Sequence, residues 1–193
     1  MNTRIPLIVL TVIALAIAGW SMTRDQYTFA SGSRIWVEGT STVHDWSCEA
    51  GRVTGTVAAE PGTGGLASIS SVTVNIPVTG LDCSNGTMNG KLRDALNASA
   101  NPNISFSLSS AQVGSVNNGR FAIEASGRLS IAGTTRTMNI SAVGQPLSNG
   151  RFRITGSVPF AMSSFGVDPP TALLGTLRTR DNVTVRFDVT LQS

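Results

Sequence analysis

The stretch TSTVHDW, Thr40–Trp46, holds the one histidine of the chain, His44. Imidazole is the side chain best suited to moving protons near neutral pH or to holding a metal. Glu38, Asp45 and Glu49 lie close enough in sequence to supply it with a carboxylate partner. A hydrolytic site also needs a nucleophile and an orienting group, and no G-x-S-x-G surrounds any serine. A zinc centre needs three or four His, Cys or carboxylate ligands, and the chain offers one histidine and two cysteines. GTGG at Gly62–Gly65 lacks the Lys-Ser/Thr of a phosphate loop. The inventory therefore argues against catalysis, and no metal and no cofactor is expected. Two other uses of His44 remain. It can sit at a strand junction, where His44 and Asp45 satisfy turn backbone groups and Trp46 closes a barrel end. It can also touch the polar end of a ligand.

The N-terminus sets the compartment. Arg4 precedes the apolar run Ile5–Ala18, which ends in the small residues Ala16 and Ala18. That is the layout of a secretory signal peptide, and the run is short of the ~18 residues a spanning helix needs. Residues 1–18 are read as a cleaved signal, and 19–193 as one domain in a periplasmic location. In an exported chain the two cysteines, Cys48 and Cys83, are expected to pair. The formal charge is +3 and charged residues make up 13% of the chain, with basic residues scattered singly. Such a distribution gives no footprint for nucleic acid.

The remaining sequence alternates between apolar and polar residues. Phe152, Ile154, Val158 and Phe160 alternate with Arg151, Arg153, Thr155 and Ser157; Val183, Val185, Phe187, Val189 and Leu191 do the same. A period of two gives strands with one apolar and one wet face, typical of antiparallel sheets. The pattern predicts about eight strands, near 33–41, 45–59, 66–78, 103–113, 119–131, 135–147, 150–162 and 182–192. NNG at 117–119 and SNG at 148–150 are tight-hairpin signals, and AGTT at 132–135 is another. Long strands joined by short hairpins favour an all-β fold. The expected architecture is an elongated eight-stranded antiparallel up-and-down β-barrel, lipocalin-like, with a two-sheet sandwich as the alternative.

Two segments break the alternation. Gly86–Ser99 places Met88, Leu92 and Leu96 four apart, which predicts one short helix between the third and fourth strands. Ser163–Asp181 is a long connection, and its Leu173 and Leu174 are expected to fold over a barrel end. The apolar face also changes parity between Trp46 and Cys48 (even) and Val53 and Val57 (odd). Either the strand bends near Gly51, or Trp46 and Cys48 lie outside the barrel beneath a covering element. A Cys48–Cys83 bridge fits the second arrangement and would pin the helix to the wall. Alternation alone does not separate a hollow barrel from a packed one. Aromatics at 6% leave mostly modest inward side chains, which suit a narrow apolar tunnel.

Four stretches carry a resemblance to a known family: SRIWVEGTSTVHDWSCEAGRVTGTV, LDCSNGTMNGKLRDALNASANPNISF, GRLSIAGTTRTM and FGVDPPTALLGTLRTRDNVTVRFDVTL. In this order they resemble the YceI-like family, polyisoprenoid-binding, lipocalin-like proteins of the bacterial periplasm. The resemblance implies an extended eight-stranded barrel whose pore holds a polyisoprenoid or similar long-chain lipid. It implies sequestration or transport, not catalysis. The wall positions it implies for ligand contact are Ile35, Val37, Ile76, Ile104, Phe106, Phe121, Ile123, Met138, Ile140, Phe152, Ile154, Val185 and Phe187. Met88, Leu92 and Leu96 would cover the barrel, and Arg178, Arg180 and His44 are candidates for a polar head. NASANPNISF stands where the family commonly has FF and a YPTITF-like strand, so the pore near the helix is expected to be more open. A second copy of the chain and a transient membrane contact are further candidate partners. The competing functions are an interaction module with a filled core, or an enzyme using His44 on an apolar substrate.

Overall fold

The structure, a computed structural model, describes residues 25–172 and 177–193. The signal segment 1–18 and the pair Leu173–Leu174 lie outside the described residues. The first strand is broken into β1 (Asp25–Phe29) and β2 (Arg34–Ser41), and the second into β3 (Asp45–Ala50) and β4 (Thr54–Gly62). The third consists of β5 (Gly65–Pro77) and the short β6 (Leu81–Asp82). Then come α1 (Gly86–Ala95), β7 (Asn103–Val113), β8 (Phe121–Ile131), β9 (Thr134–Pro146), β10 (Phe152–Ala161), the two-residue β11 (Thr171–Ala172) and β12 (Leu177–Gln192). The alternation predicts the long strands, most to within a few residues, although β12 begins five residues earlier than expected. It does not predict the two-residue β6 and β11, nor β1, a stretch of five residues separated from β2 by a turn at Ala30–Ser33.

Each long strand pairs antiparallel with the next, and β12 closes the ring. On one side β12 pairs with β10, from Phe152↔Leu191 to Ala161↔Asn182. On the other it pairs with β2 at Val37↔Val185 and with β1 at Phe29↔Leu191. The result is a closed eight-stranded up-and-down barrel with additional short strands, not a sandwich. Closure removes the unpaired edges that an open sheet exposes to aggregation.

The hairpins follow the turn chemistry. Asn118 (φ 50) with Gly119 (φ 71), and Asn149 (φ 60) with Gly150 (φ 68), place two left-handed residues in succession. That is the type I′ geometry which matches strand twist. All of these turns, with the Gly62–Gly65 turn, lie at one end of the barrel. The opposite end receives the β2–β3 turn, α1, the β8–β9 turn and the described residues 162–172 that follow β10.

Two packed clusters fill the two ends. At the tight-hairpin end Tyr27, Phe121 and Phe152 meet edge to face, with ring centroids 5.7 Å and 6.3 Å apart. Ala59, Leu66 and Leu191 pack around them. At the helix end Leu96 of α1 packs with Val78, Leu81, Ile131, Phe165 and Val167.

On the outer face, ion pairs brace the seam where the ring closes. Arg34 and Glu49 form a bidentate pair across β2 and β3, at 2.8 Å and 2.7 Å. Arg186 of β12 donates to Glu38 of β2 at 2.6 Å, and Arg153 of β10 donates to Asp188 of β12 at 2.7 Å. The hydrogen bonds from Arg186, Arg34 and Arg153 hold the carboxyls of Glu38, Glu49 and Asp188 below their ordinary values. A depressed folded-state value contributes stability that is present above the unfolded carboxylate range and is lost as pH falls through the folded value. Thermal unfolding followed from pH 7 to pH 3 is therefore expected to show a falling midpoint below about pH 4. Asp188→Asn is expected to lower the midpoint at pH 7 and to flatten its acid dependence. An equally steep dependence in that variant would exclude the pair as a contributor.

Candidate functional site

The barrel is packed at the tight-hairpin end and hollow beyond it, with the helix-end cluster covering part of the other end. The inward apolar side chains of its middle, including Val37, Val72, Ile104, Leu129, Met138 and Val185, are only half-buried, whereas the end clusters are buried. They surround a cavity of about 580 Å³, within the ~300–1,000 Å³ range of small-molecule sites.

Close approach between rings and glycines keeps this lumen open. A Cβ on Gly127 would fall 2.2 Å from the Phe106 ring, and one on Gly156 would fall 2.4 Å from Phe187. Gly156 and Phe187 are direct cross-strand partners. Each ring lies flat against the wall over a strand that has no side chain there, so it does not project across the lumen. Gly39 makes the same space for Trp46. Ala111 and Ala125, paired across β7 and β8, add a smooth stretch to the wall.

Eleven of the thirteen wall positions named from the sequence line this one cavity. They are Ile35, Val37, Ile76, Ile104, Phe106, Ile123, Met138, Ile140, Ile154, Val185 and Phe187. Phe121 and Phe152 do not line it. Both belong to the aromatic cluster that seals the tight-hairpin end, at 2% and 5% exposure. Alternation reports which face a residue occupies and not its depth along the barrel. It therefore could not separate floor from wall.

The parity change is resolved by a bend. Register pairs Val37 with Cys48 and Gly39 with Trp46 on β2 and β3, while Tyr27 pairs with Val57 on β1 and β4. The strand breaks at Gly51–Val53, and Cys48, Ala50 and Val57 all line the cavity. Trp46 and Cys48 thus face the lumen and do not lie outside the barrel, contrary to the second arrangement above. Cys48 and Cys83 are joined by a disulfide. It anchors the segment entering α1 from within the barrel.

α1 covers part of the open end. Asn85 caps it by accepting from the Met88 amide, and the Cys83 amide donates to Asn89 Oδ1 at 2.7 Å. Met88, Leu92 and Leu96 turn to the cavity. Lys91 Nζ donates to the Thr171 carbonyl at 2.9 Å, spanning from helix to β11. The exposed members of the cavity wall are Val43, His44, Asn85, Thr87, Thr171 and Arg178. All belong to this end, which is the mouth.

His44 sits in the β2–β3 turn. Its carbonyl accepts from the Ser41 amide and hydroxyl, its amide donates to Ser41 Oγ, and its Nδ1 lies 2.8 Å from the Asp45 carbonyl. The ring is exposed and lines the mouth. His44 therefore has the junction geometry and also lies where a ligand would enter. Arg178 lines the mouth as well, and Arg180 does not line the cavity. Among the described residues no three His, Cys, Asp or Glu side chains converge as a metal would require.

A closed eight-stranded barrel around an apolar cavity with a polar mouth is a lipocalin-like fold. The YceI-like domain model matches residues 28–191, and the chain belongs to that family. Solved structures with the same fold include a polyisoprenoid-binding domain from Saccharophagus degradans (13% identity, TM-score 0.66, covering 89% of this chain and 99% of that one). BcnA of Burkholderia cenocepacia has 16% identity and TM-score 0.65, covering 82% of this chain and 96% of that one. The Campylobacter jejuni YceI protein has 16% identity and TM-score 0.57, covering 76% and 84%. No curated protein matches the chain.

The disulfide closes a loop with a sequence separation of 35, which the chain-entropy model values at about 4 kcal/mol. Reduction, or the double variant Cys48→Ala/Cys83→Ala, is expected to lower the thermal midpoint by roughly 8–16 °C for a domain of this size. An unchanged midpoint would mean that the covalent tie adds nothing to the packing around it.

Proposed function

We propose that this protein is a non-catalytic binder of a long-chain apolar lipid of polyisoprenoid type, held in the barrel cavity. It works in the periplasm after export by the N-terminal segment, sequestering the lipid or carrying it through water. The single observation behind this reading is the hollow apolar lumen between a packed floor and a polar mouth. Half-buried apolar side chains around a cavity of about 580 Å³ forfeit contacts that a filled core would make. A hydrocarbon chain restores them, at about 0.8 kcal/mol for each buried methylene. Family membership and the polyisoprenoid-binding neighbour support the same ligand class. An open lumen favours a bound ligand over an interaction module with a filled core. His44 enters this reading as a turn and mouth residue: its Nδ1 contact is a backbone carbonyl, and among the described residues lining the cavity there is no carboxylate.

Native mass spectrometry of the exported protein purified without detergent, followed by solvent extraction, tests the reading. A discrete bound mass that extracts as a prenyl or similar chain is the expected result, and His44→Ala should retain it. A ligand-free mass that persists after incubation with prenols, quinones and fatty acids would remove lipid binding. Release of a modified lipid by the wild type but not by His44→Ala would remove the non-catalytic part.

A further inference from the structure

The cavity has one floor and one mouth, and each restricts the ligand. The floor lies where Ile123, Ile154 and Val189 meet the Tyr27–Phe121–Phe152 cluster. Beyond it the rings are buried and the hairpins are tight, so a chain cannot pass through. From Leu191 to Thr179, both in the wall, β12 advances twelve residues. At ~3.4 Å per residue and a tilt of ~40°, the lumen is about 30 Å deep. An extended chain of single bonds advances about 1.2 Å per bond, which gives roughly 25 bonds from floor to mouth. A much longer extended chain does not fit between floor and mouth.

The mouth adds a sign. Among the described residues lining the cavity, Lys91 and Arg178 carry the formal charges, and no carboxylate lines it. Asp45 and Asp168 are neighbours in sequence of wall residues but are not part of the wall. Lys91 is half-buried, and its ammonium gives one of three donors to the Thr171 carbonyl. Its position on α1, one turn from Met88 and next to Leu92, places the charge where apolar wall gives way to solvent.

Resting on the lipid-binding reading, we infer that the ligand is a single-chain amphiphile of about 25 chain bonds that enters tail first. Its anionic head, a carboxylate or a phosphate, stops at Lys91. The Phe121–Phe152 floor sets the chain-length limit, and Lys91 sets the preference for an anion. Long polyprenyl chains exceed the space between the two.

A chain-length ladder tests this on the wild-type protein, by competition against a bound fluorescent fatty acid. The ladder comprises saturated fatty acids in two-carbon steps, geranylgeranyl and undecaprenyl monophosphates, and the matching alcohols. Affinity is expected to rise about fourfold per methylene and to stop rising at about 25 carbons, with undecaprenyl phosphate at least tenfold weaker than geranylgeranyl phosphate. Each acid or phosphate should bind about tenfold tighter than its alcohol, and Lys91→Gln should erase that difference while leaving the alcohols unchanged. Ala125→Leu, which fills a small-residue position deep in the wall, should shorten the limit by several carbons without opening the core. Carboxylates binding better than phosphates, or the reverse, identifies the head. Undecaprenyl phosphate binding as well as the shorter chain, or a limit unmoved in Ala125→Leu, would overturn the length limit. Equal binding of acids and alcohols, or a Lys91→Gln profile like the wild type, would overturn the head assignment. Failure of every lipid in the ladder would count against the lipid-binding reading itself and not against its refinement.

Discussion

Closure of the ring is the constraint on which the rest of the structure depends. Once β12 has paired with β10 on one side and with β2 and β1 on the other, every long strand has partners on both sides and every second side chain must face inward. An eight-stranded ring is just wide enough to be filled by its own side chains or to hold one small ligand. Here the choice is made locally. Phe106 and Phe187, the largest inward residues of the middle, each lie over a glycine on a neighbouring strand and stay against the wall. The same ring-over-glycine contact at Phe121 and Gly144 operates inside the floor, where Tyr27 and Phe152 supply the rest of the packing. One local device therefore gives a packed plug where rings converge and an open lumen where they are spread apart.

A hollow middle moves the burden of stability elsewhere. Unfilled space costs the contacts that a core would make, and three features lie where they offset it. The end clusters bury their apolar side chains fully. The outer ion pairs fall on β10, β12, β2 and β3, the strands beside the broken first strand that completes the ring. Surface pairs are individually weak, but bidentate arginine geometry and cross-strand placement make these the favourable kind. The disulfide is set at the bend where β3 gives way to β4, and it holds the start of α1 against the one end that is not closed by tight turns.

Much of this was legible in the sequence because its physics is local. Period-two alternation marks strand and face, and Asn-Gly pairs mark the turns. The spacing of Met88, Leu92 and Leu96 marks the helix and the side it covers. What escaped is set by tertiary geometry. β1 is too short to show a period, although Tyr27 and Phe29 already sit on its inward side. Phe121 and Phe152 alternate like the wall residues around them, and only the stagger of the closed ring places them in the floor. The parity change at Gly51 was visible, but its cause was not. A bend and an external flap predict the same sequence, and the register Val37↔Cys48 decides for the bend. The small residues Gly127, Gly156 and Ala125 carried the signal for the open lumen, readable only once their cross-strand partners were known.

An apolar cavity of this kind has little means of recognising the middle of its ligand. Dispersion and hydrophobic contacts are non-directional, and one methylene more or less in an apolar site changes affinity only modestly. Directional groups are excluded from the wall because an unpaired polar atom there would carry its full desolvation penalty. Discrimination must therefore sit where the apolar wall stops. At the floor it is steric, imposed by rings that cannot move without disturbing the core cluster. At the mouth it is electrostatic and polar, imposed by side chains that water can reach when the site is empty. His44 belongs to this second set by position, and its backbone contacts keep the β2–β3 turn in place beside the entrance.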